Sequence, residues 1–287
     1  MKLHTINTGF FKLDGGAMFG VVPKSIWNKL NPADADNLCT WALRCLLIED
    51  GKRLILVDTG IGNKQDAKFL NHYQLHGDHS LDNSLKTKGF TRQDITDVFL
   101  THLHFDHCGG AIIRKGDELV PAFPNADFWS NEKHWAWATE PNEREKASFL
   151  KENILPIKDS GRLKMVPMKD GENGGGSASV SFADGFSIRF VNGHTKAMML
   201  PQLDYKGRTI AFMADLLPSS AHLPVPYIMA YDMFPLTSLN EKKAFLEQAL
   251  AGDYILFFEH DPVNECCTLQ KTEKGIRAKD FFSLKDL

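Results

Sequence analysis

The chain has no long apolar run, no large excess of one charge and no ordered set of cysteines. Its 287 residues carry 33 Lys and Arg against 36 Asp and Glu, a formal net charge of −3. That balance gives no general electrostatic reason to bind nucleic acid. No window approaches the roughly 20 apolar residues of a membrane span. The opening residues Met1-Lys2-Leu3-His4-Thr5 lead into no apolar signal-like region, so the expected location is the cytoplasm. The five cysteines, at 39, 45, 108, 266 and 267, are odd in number and scattered, which fits reduced thiols better than a disulfide framework. With 43% hydrophobic and 24% charged residues the composition is that of an ordinary globular protein. Its length suits a single domain over 1–287.

What the chain does have is Thr101-His102-Leu103-His104-Phe105-Asp106-His107-Cys108-Gly109-Gly110. Three histidines and an aspartate within six residues are hard to place in a core without partners. Imidazole and carboxylate are the usual ligands of zinc and neighbouring transition metals. The preceding Asp97-Val98-Phe99-Leu100 reads as a short buried strand, and Gly109-Gly110 permits a tight turn. His102 and His104 then share one side of a strand end, because side chains alternate with period two.

Further donors also follow apolar runs. Phe190-Val191-Asn192-Gly193-His194, Ile210-Ala211-Phe212-Met213-Ala214-Asp215 and Ile255-Leu256-Phe257-Phe258-Glu259-His260 each read as a strand leading to a ligand type. Leu54-Ile55-Leu56-Val57-Asp58-Thr59-Gly60 is a fourth strand end. The rest predicts an α/β chain. A hairpin joins 41–48 to 53–58, and 60–89 is polar and irregular. Thr91-Arg92-Gln93-Asp94 begins a short helix. Helices are expected over 130–137, 143–154 and 240–251, and strands over 186–191, 209–214 and 254–258. Asn173-Gly174-Gly175-Gly176-Ser177 reads as a loop.

Taken in order from Asp58 to His260, these motifs resemble the signature of the metallo-β-lactamase superfamily. The resemblance implies a four-layer αβ/βα sandwich. It implies that His102, His104 and His194 hold one divalent ion, that Asp106, His107 and His260 hold a second, and that Asp215 bridges both. Asp106 and Asp215 are thereby the candidate catalytic carboxylates. Asp58 is implied as an outer partner that orients a ligand histidine. Seven nitrogen and oxygen donors exceed the needs of one tetrahedral ion and suit two ions sharing a carboxylate. Such a pair lowers the pKa of a bridging water, and the resulting hydroxide attacks a carbonyl or phosphoryl centre. Zinc is the first expectation, and iron, manganese and cobalt accept the same donors.

Within the superfamily the chain is similar to the methyl parathion hydrolase-like enzymes and the N-acyl homoserine lactonases. With His260 so near the last residue, Leu287, it does not match members with an appended flavodoxin-like or helical domain. It departs from its relatives after Gly193-His194-Thr195, which runs into Lys196-Ala197-Met198, and after Asp215, where Leu216-Leu217-Pro218 follows instead of a tyrosine. The expected function is therefore hydrolysis of a small ester, lactone or phosphoester. The partner is a small molecule, with neither nucleic acid nor membrane. The alternatives are an iron-dependent oxygen- or sulfur-handling enzyme and a non-catalytic scaffold. Met18 and Phe19, on a glycine-rich loop, and His222 are candidate substrate contacts, with core packing the rival for the first two and an ordinary loop for the third. His72, His76 and His79 read as a polar surface segment, and Cys108 as a small buried residue.

Overall fold

A computed structural model describes residues 1–168 and 179–287. The loop expected at 173–177 lies outside them. The chain divides into two compact units, Met1–Phe10 with Leu43–Pro167 and Phe11–Ala42 with Met168–Leu287. Among the described residues no helix is long and apolar enough to cross a membrane.

A six-stranded sheet belongs mainly to the first unit. Its order is β1 (Lys2–Asp14), β2 (Leu38–Asp50), β3 (Arg53–Val57), β4 (Asp97–Phe99), β7 (Asp127–Ser130) and β8 (Leu163–Met165), with β5 (Ile112–Lys115) and β6 (Glu118–Pro121) forming a separate hairpin. β2 and β3 pair as the expected hairpin, with Leu46 opposite Val57. From β3 to β8 the pairing is parallel. β4 has only three residues, all buried, which is the near-continuous apolar character of a strand covered on both faces. Asp97 clamps this region from the far end. It accepts from Arg53 at 3.1 and 2.7 Å and from Trp129 Nε1 at 2.8 Å, tying β3, β4 and β7 in register. The clamp leaves the opposite strand ends, at Asp58 and Thr101, to carry the ligand motif. The unit's core is built from Leu47, Leu56, Val98, Leu100, Phe123 and Phe128 among others.

The second unit holds a seven-stranded sheet. Its order is β15 (Gly275–Phe282), β14 (Cys266–Thr272), β13 (Ile255–Phe257), β12 (Arg208–Phe212), β11 (Met198–Tyr205), β10 (Phe186–Val191) and β9 (Ser179–Ala183). Only β12 and β13 are parallel. A parallel pair needs a crossover, and the connection contains the helix Pro235–Ala251. That helix starts with Pro at its first turn, where the missing N–H costs nothing. It buries Ser238, Glu241, Lys242, Phe245, Leu246 and Ala249, a stripe at helical spacing whose first half is polar. The polar half is why the sequence places the helix start too late, at 240.

Other expectations are corrected. The stretch 60–89 is not irregular throughout. It contains helices Ala67–His72 and Leu81–Thr87, capped by Asp66 on the Phe69 N–H at 2.8 Å and by Ser80 on the Asn83 N–H at 3.2 Å. Thr91–Asp94 is a turn closed by Asp94 on the Thr91 N–H at 2.7 Å. The helix expected over 143–154 instead runs Lys151–Asp159. β1, β11, β14 and β15 are strands that the sequence pattern did not announce, since β1 and β15 alternate little between buried and exposed positions.

Candidate metal centre

In the first unit the ligand motif begins where β4 stops. His102, His104, Asp106 and His107 are all buried. His102 and His104 stand on the extended segment, and Phe105–Cys108 turns into a single helical turn that carries Asp106 and His107. Gly109 and Gly110 sit so close to the backbone of Ile61 and Thr59 that a Cβ on either would clash. Those two glycines thus let the 59–62 loop strap the turn, with Thr59 N donating to His107 O at 2.8 Å and Gly110 N to Gly60 O at 2.8 Å.

The hydrogen bonds assign the ring protons. His104 Nε2 lies 2.9 Å from Glu145 Oε1, a carboxylate that only accepts, so Nε2 carries the proton and Nδ1 is the acceptor. Thr101 Oγ1 donates to Asp58 Oδ2 at 2.6 Å and then has only lone pairs for His102 Nδ1 at 3.1 Å. His102 Nδ1 is therefore the donor, and its Nε2 the acceptor. These two acceptors, His102 Nε2 and His104 Nδ1, face each other at 3.0 Å. Two lone pairs at that distance repel unless positive charge lies between them. His107 follows the same rule, its Nδ1 lying 3.1 Å from Asp58 Oδ2, which turns its Nε2 into an acceptor. Asp58 also accepts the Thr101 N–H at 2.8 Å.

The second unit repeats this chemistry with donors far apart in sequence. His194 Nδ1 lies 2.9 Å from Asp232 Oδ1, and His260 Nδ1 lies 2.8 Å from the Ala42 carbonyl. Both Nε2 atoms are acceptors by the same reasoning, and both face Asp215. One carboxylate oxygen is 3.1 Å from His194 Nε2 and the other 3.2 Å from His260 Nε2. Burial works against a charged His194, but Asp215 and Asp232 outweigh it and push its pKa up to about 10. The position calls for positive charge, as a proton or as a cation. Glu241 holds the turn before His194 by accepting from the Asn192 N–H at 2.8 Å and the Gly193 N–H at 3.0 Å. Gly193 lies against Ser238 with no room for a Cβ. Donors that could hold a metal ion thus include His102, His104, Asp106 and His107 in the first unit and His194, Asp215 and His260 in the second. The test of fit is chemical. Buried nitrogen and oxygen acceptors turned on one another suit a divalent cation and little else.

The remaining candidates join none of the donor groups among the described residues. Met18 and Phe19 are not on an open loop: they end the short helix Gly15–Phe19 and are 2% and 0% exposed. Phe19 is sandwiched by Trp27 at 5.3 Å and His222 at 4.7 Å between ring centroids. His222 is buried, with Nε2 2.9 Å from Met18 O and Nδ1 2.8 Å from Ser219 Oγ. Burial and the charge of Lys242 press its pKa down to about 3, so the ring stays neutral. His72, His76 and His79 are exposed and join no donor group among the described residues. Cys108 is buried against Leu103 O at 3.3 Å, and burial pushes its thiol up to about 12. Glu145 and Asp232 were not singled out in the sequence. Neither lies in a strand-end motif, and only folding brings them to His104 and His194.

A family model of the metallo-beta-lactamase superfamily matches residues 44–260. The chain belongs to the metallo-β-lactamase superfamily. Its mixed α/β sheets and helices are those of this fold. Solved structures agree. A probable metal-dependent hydrolase from Staphylococcus aureus is 26% identical, with 98% of this chain and 96% of that chain covered and a TM-score of 0.86. AidC, a dizinc quorum-quenching lactonase in complex with a product, N-hexnoyl-L-homoserine, is 21% identical over 98% and 95% of the two chains at TM-score 0.77. The hydrolase AbOPH is 22% identical over 97% and 95% at TM-score 0.74. No curated protein matches at a significant level.

Proposed function

We propose that this superfamily member is a binuclear metal-dependent hydrolase of a small ester, lactone or phosphoester. His102, His104 and His194 would hold one divalent ion, Asp106, His107 and His260 would hold the other, and Asp215 would be shared. The observation that carries the reading is the facing of acceptor on acceptor within each unit: His102 against His104 at 3.0 Å, and Asp215 against His194 and His260 at 3.1 and 3.2 Å. When bound, the two ions supply Lewis-acid stabilisation of the developing oxyanion and an ionised water near neutral pH. The chain's own part is to keep each ring proton on the outer nitrogen. Asp58 does this at His107 Nδ1, Glu145 at His104 Nε2, Asp232 at His194 Nδ1 and the Ala42 carbonyl at His260 Nδ1. The whole chain 1–287 is read as one domain.

Zinc is the first choice of metal, supported by the dizinc lactonase among the similar structures. A small, weakly charged substrate in a cytoplasmic setting fits the near-balanced charge of the chain. The test is elemental analysis after dialysis, alongside a panel of lactone, aryl ester and phosphotriester substrates in water labelled with oxygen-18. Close to two equivalents of metal, turnover abolished by chelator, and label in the acid product are expected. A stable value of one equivalent, or a trapped covalent acyl-enzyme, overturns the proposal. Turnover that requires molecular oxygen replaces it with iron-dependent chemistry, and full metal without turnover on any substrate replaces it with a scaffold role.

A further inference from the structure

The first unit contains a cavity of about 390 Å³ lined by Asn63, Lys64, Asp82, Arg92, Ile113 and Arg114. Its size falls in the range of small-molecule sites, which begin at about 300 Å³. The lining gathers three cations around one carboxylate. Asp82 is committed to Arg92, accepting from Nε and Nη2 at 2.5 and 3.1 Å. That pair leaves Lys64 and Arg114 without a carboxylate in the lining. Arg92 Nη1 is itself buried and has no hydrogen-bond partner among the described residues, while the guanidinium lies over the Phe123 ring at 5.4 Å. Lys64 is 6% exposed, and its Nζ donates to the Gly109 carbonyl. Burial depresses its pKa to about 8, Glu152 and Cys108 pull it back up, and Arg114 pushes it further down. Gathering like charges about a hollow costs energy that a guest anion would recover.

We propose that this cavity binds a small phosphomonoester, with the phosphate held by Lys64, Arg114 and Arg92 Nη1. A phosphate matches the lining in charge and in acceptor number, because guanidinium and ammonium groups meet phosphate oxygens through charge-assisted hydrogen bonds. The Asn63 amide adds a neutral donor, and Ile113 offers an apolar wall for a short carbon chain. The site is independent of the donor histidines, although Gly109, which receives the Lys64 hydrogen bond, closes the turn that carries His107.

The experiment is isothermal titration calorimetry of the metal-loaded protein with glycerol 3-phosphate and, separately, inorganic phosphate. Saturable binding near one equivalent is expected for the organic phosphate, with inorganic phosphate binding more weakly because it leaves Ile113 uncovered. Arg114→Glu, on the exposed hairpin, should weaken binding by about tenfold or more, the scale of one lost charge-assisted contact. Ester turnover should be unchanged in the same variant. Raising the salt concentration should weaken binding further. Unchanged binding in Arg114→Glu, or binding that competes with ester turnover, assigns the phosphate to the metal donors and overturns the proposal. No saturable heat from either ligand overturns it as well. Equal affinity for the two phosphates shows free phosphate to be the ligand and removes the organic part.

Discussion

The two units supply metal donors in opposite ways. In the first, His102, His104, Asp106 and His107 come from one strand end and one helical turn, so local geometry sets their mutual distances. In the second, His194, Asp215 and His260 follow β10, β12 and β13, and the sheet must form before any of them meet. Both arrive at the same chemistry, with an outer ring nitrogen tied to an oxygen and the inner one turned on another acceptor. A local motif is thus one route to a cation site, and a sheet that aligns three strand ends is another. His222, also in the second unit, shows what a histidine outside this pattern looks like. Both its nitrogens are engaged, by a carbonyl and a hydroxyl, and its ring is stacked on Phe19.

The strongest way to break the comparison is Asp215→Ala. The second unit then loses a carboxylate that both His194 and His260 face. Metal content should fall for both ions, and turnover should drop by more than about 100-fold, beyond the usual cost of an outer partner. Full metal and full turnover in that variant would mean that Asp215 is not shared.

Next come the outer partners. Asp58→Asn, Glu145→Gln and Asp232→Asn should each weaken metal affinity by roughly 10–100-fold, measured by competition with a chelator. Asp58→Asn should cost the most, because Asp58 serves Thr101, and through it His102, as well as His107. Equal losses for all three would show that the local motif gains nothing from its shared carboxylate.

A smaller effect is expected at His222. His222→Phe keeps the stack on Phe19 but strands Met18 O and Ser219 Oγ. It should lower stability by about 1–3 kcal/mol in denaturant melts while leaving metal content unchanged. A change in KM without a change in stability would instead place His222 at the substrate.

The last effect is a pH dependence and concerns Lys242, which donates to Tyr227 O at 2.7 Å and whose pKa burial presses down to about 7. Its folded pKa lies below its unfolded one, so between pH 7 and about 10.5 the unfolded chain binds more protons. Stability from this group should rise with pH across that window. The penalty for burying the charge is complete below pH 7. The melting temperature of Lys242→Met relative to the parent should therefore be most favourable below pH 7 and decline as pH rises. A difference that is flat with pH would show that Lys242 is not held against its charge.

The α/β class, the four apolar runs that lead to Asp58, His194, Asp215 and His260, and the dense motif at 102–107 are readable from the chain alone. These were legible because strand hydrophobicity and metal-ligand chemistry are written in residues close together along the chain. The starts of helices were less legible where their buried stripe is polar, as at Ser238, Glu241 and Lys242. Short capped helices in 60–89 were hidden by their polarity. Which oxygen each ring proton faces is set by contacts between distant segments. Glu145 reaches His104, Asp232 reaches His194, and the Ala42 carbonyl reaches His260 across long stretches of chain. Folding also buries Met18, Phe19 and His222, the three expected substrate contacts, and stacks Phe19 between Trp27 and His222. The physical reason is the same in each case. A hydrogen-bond partner or a stacking partner brought in from a distant segment leaves no period and no spacing in the sequence, and exists only once the sheets have placed both ends.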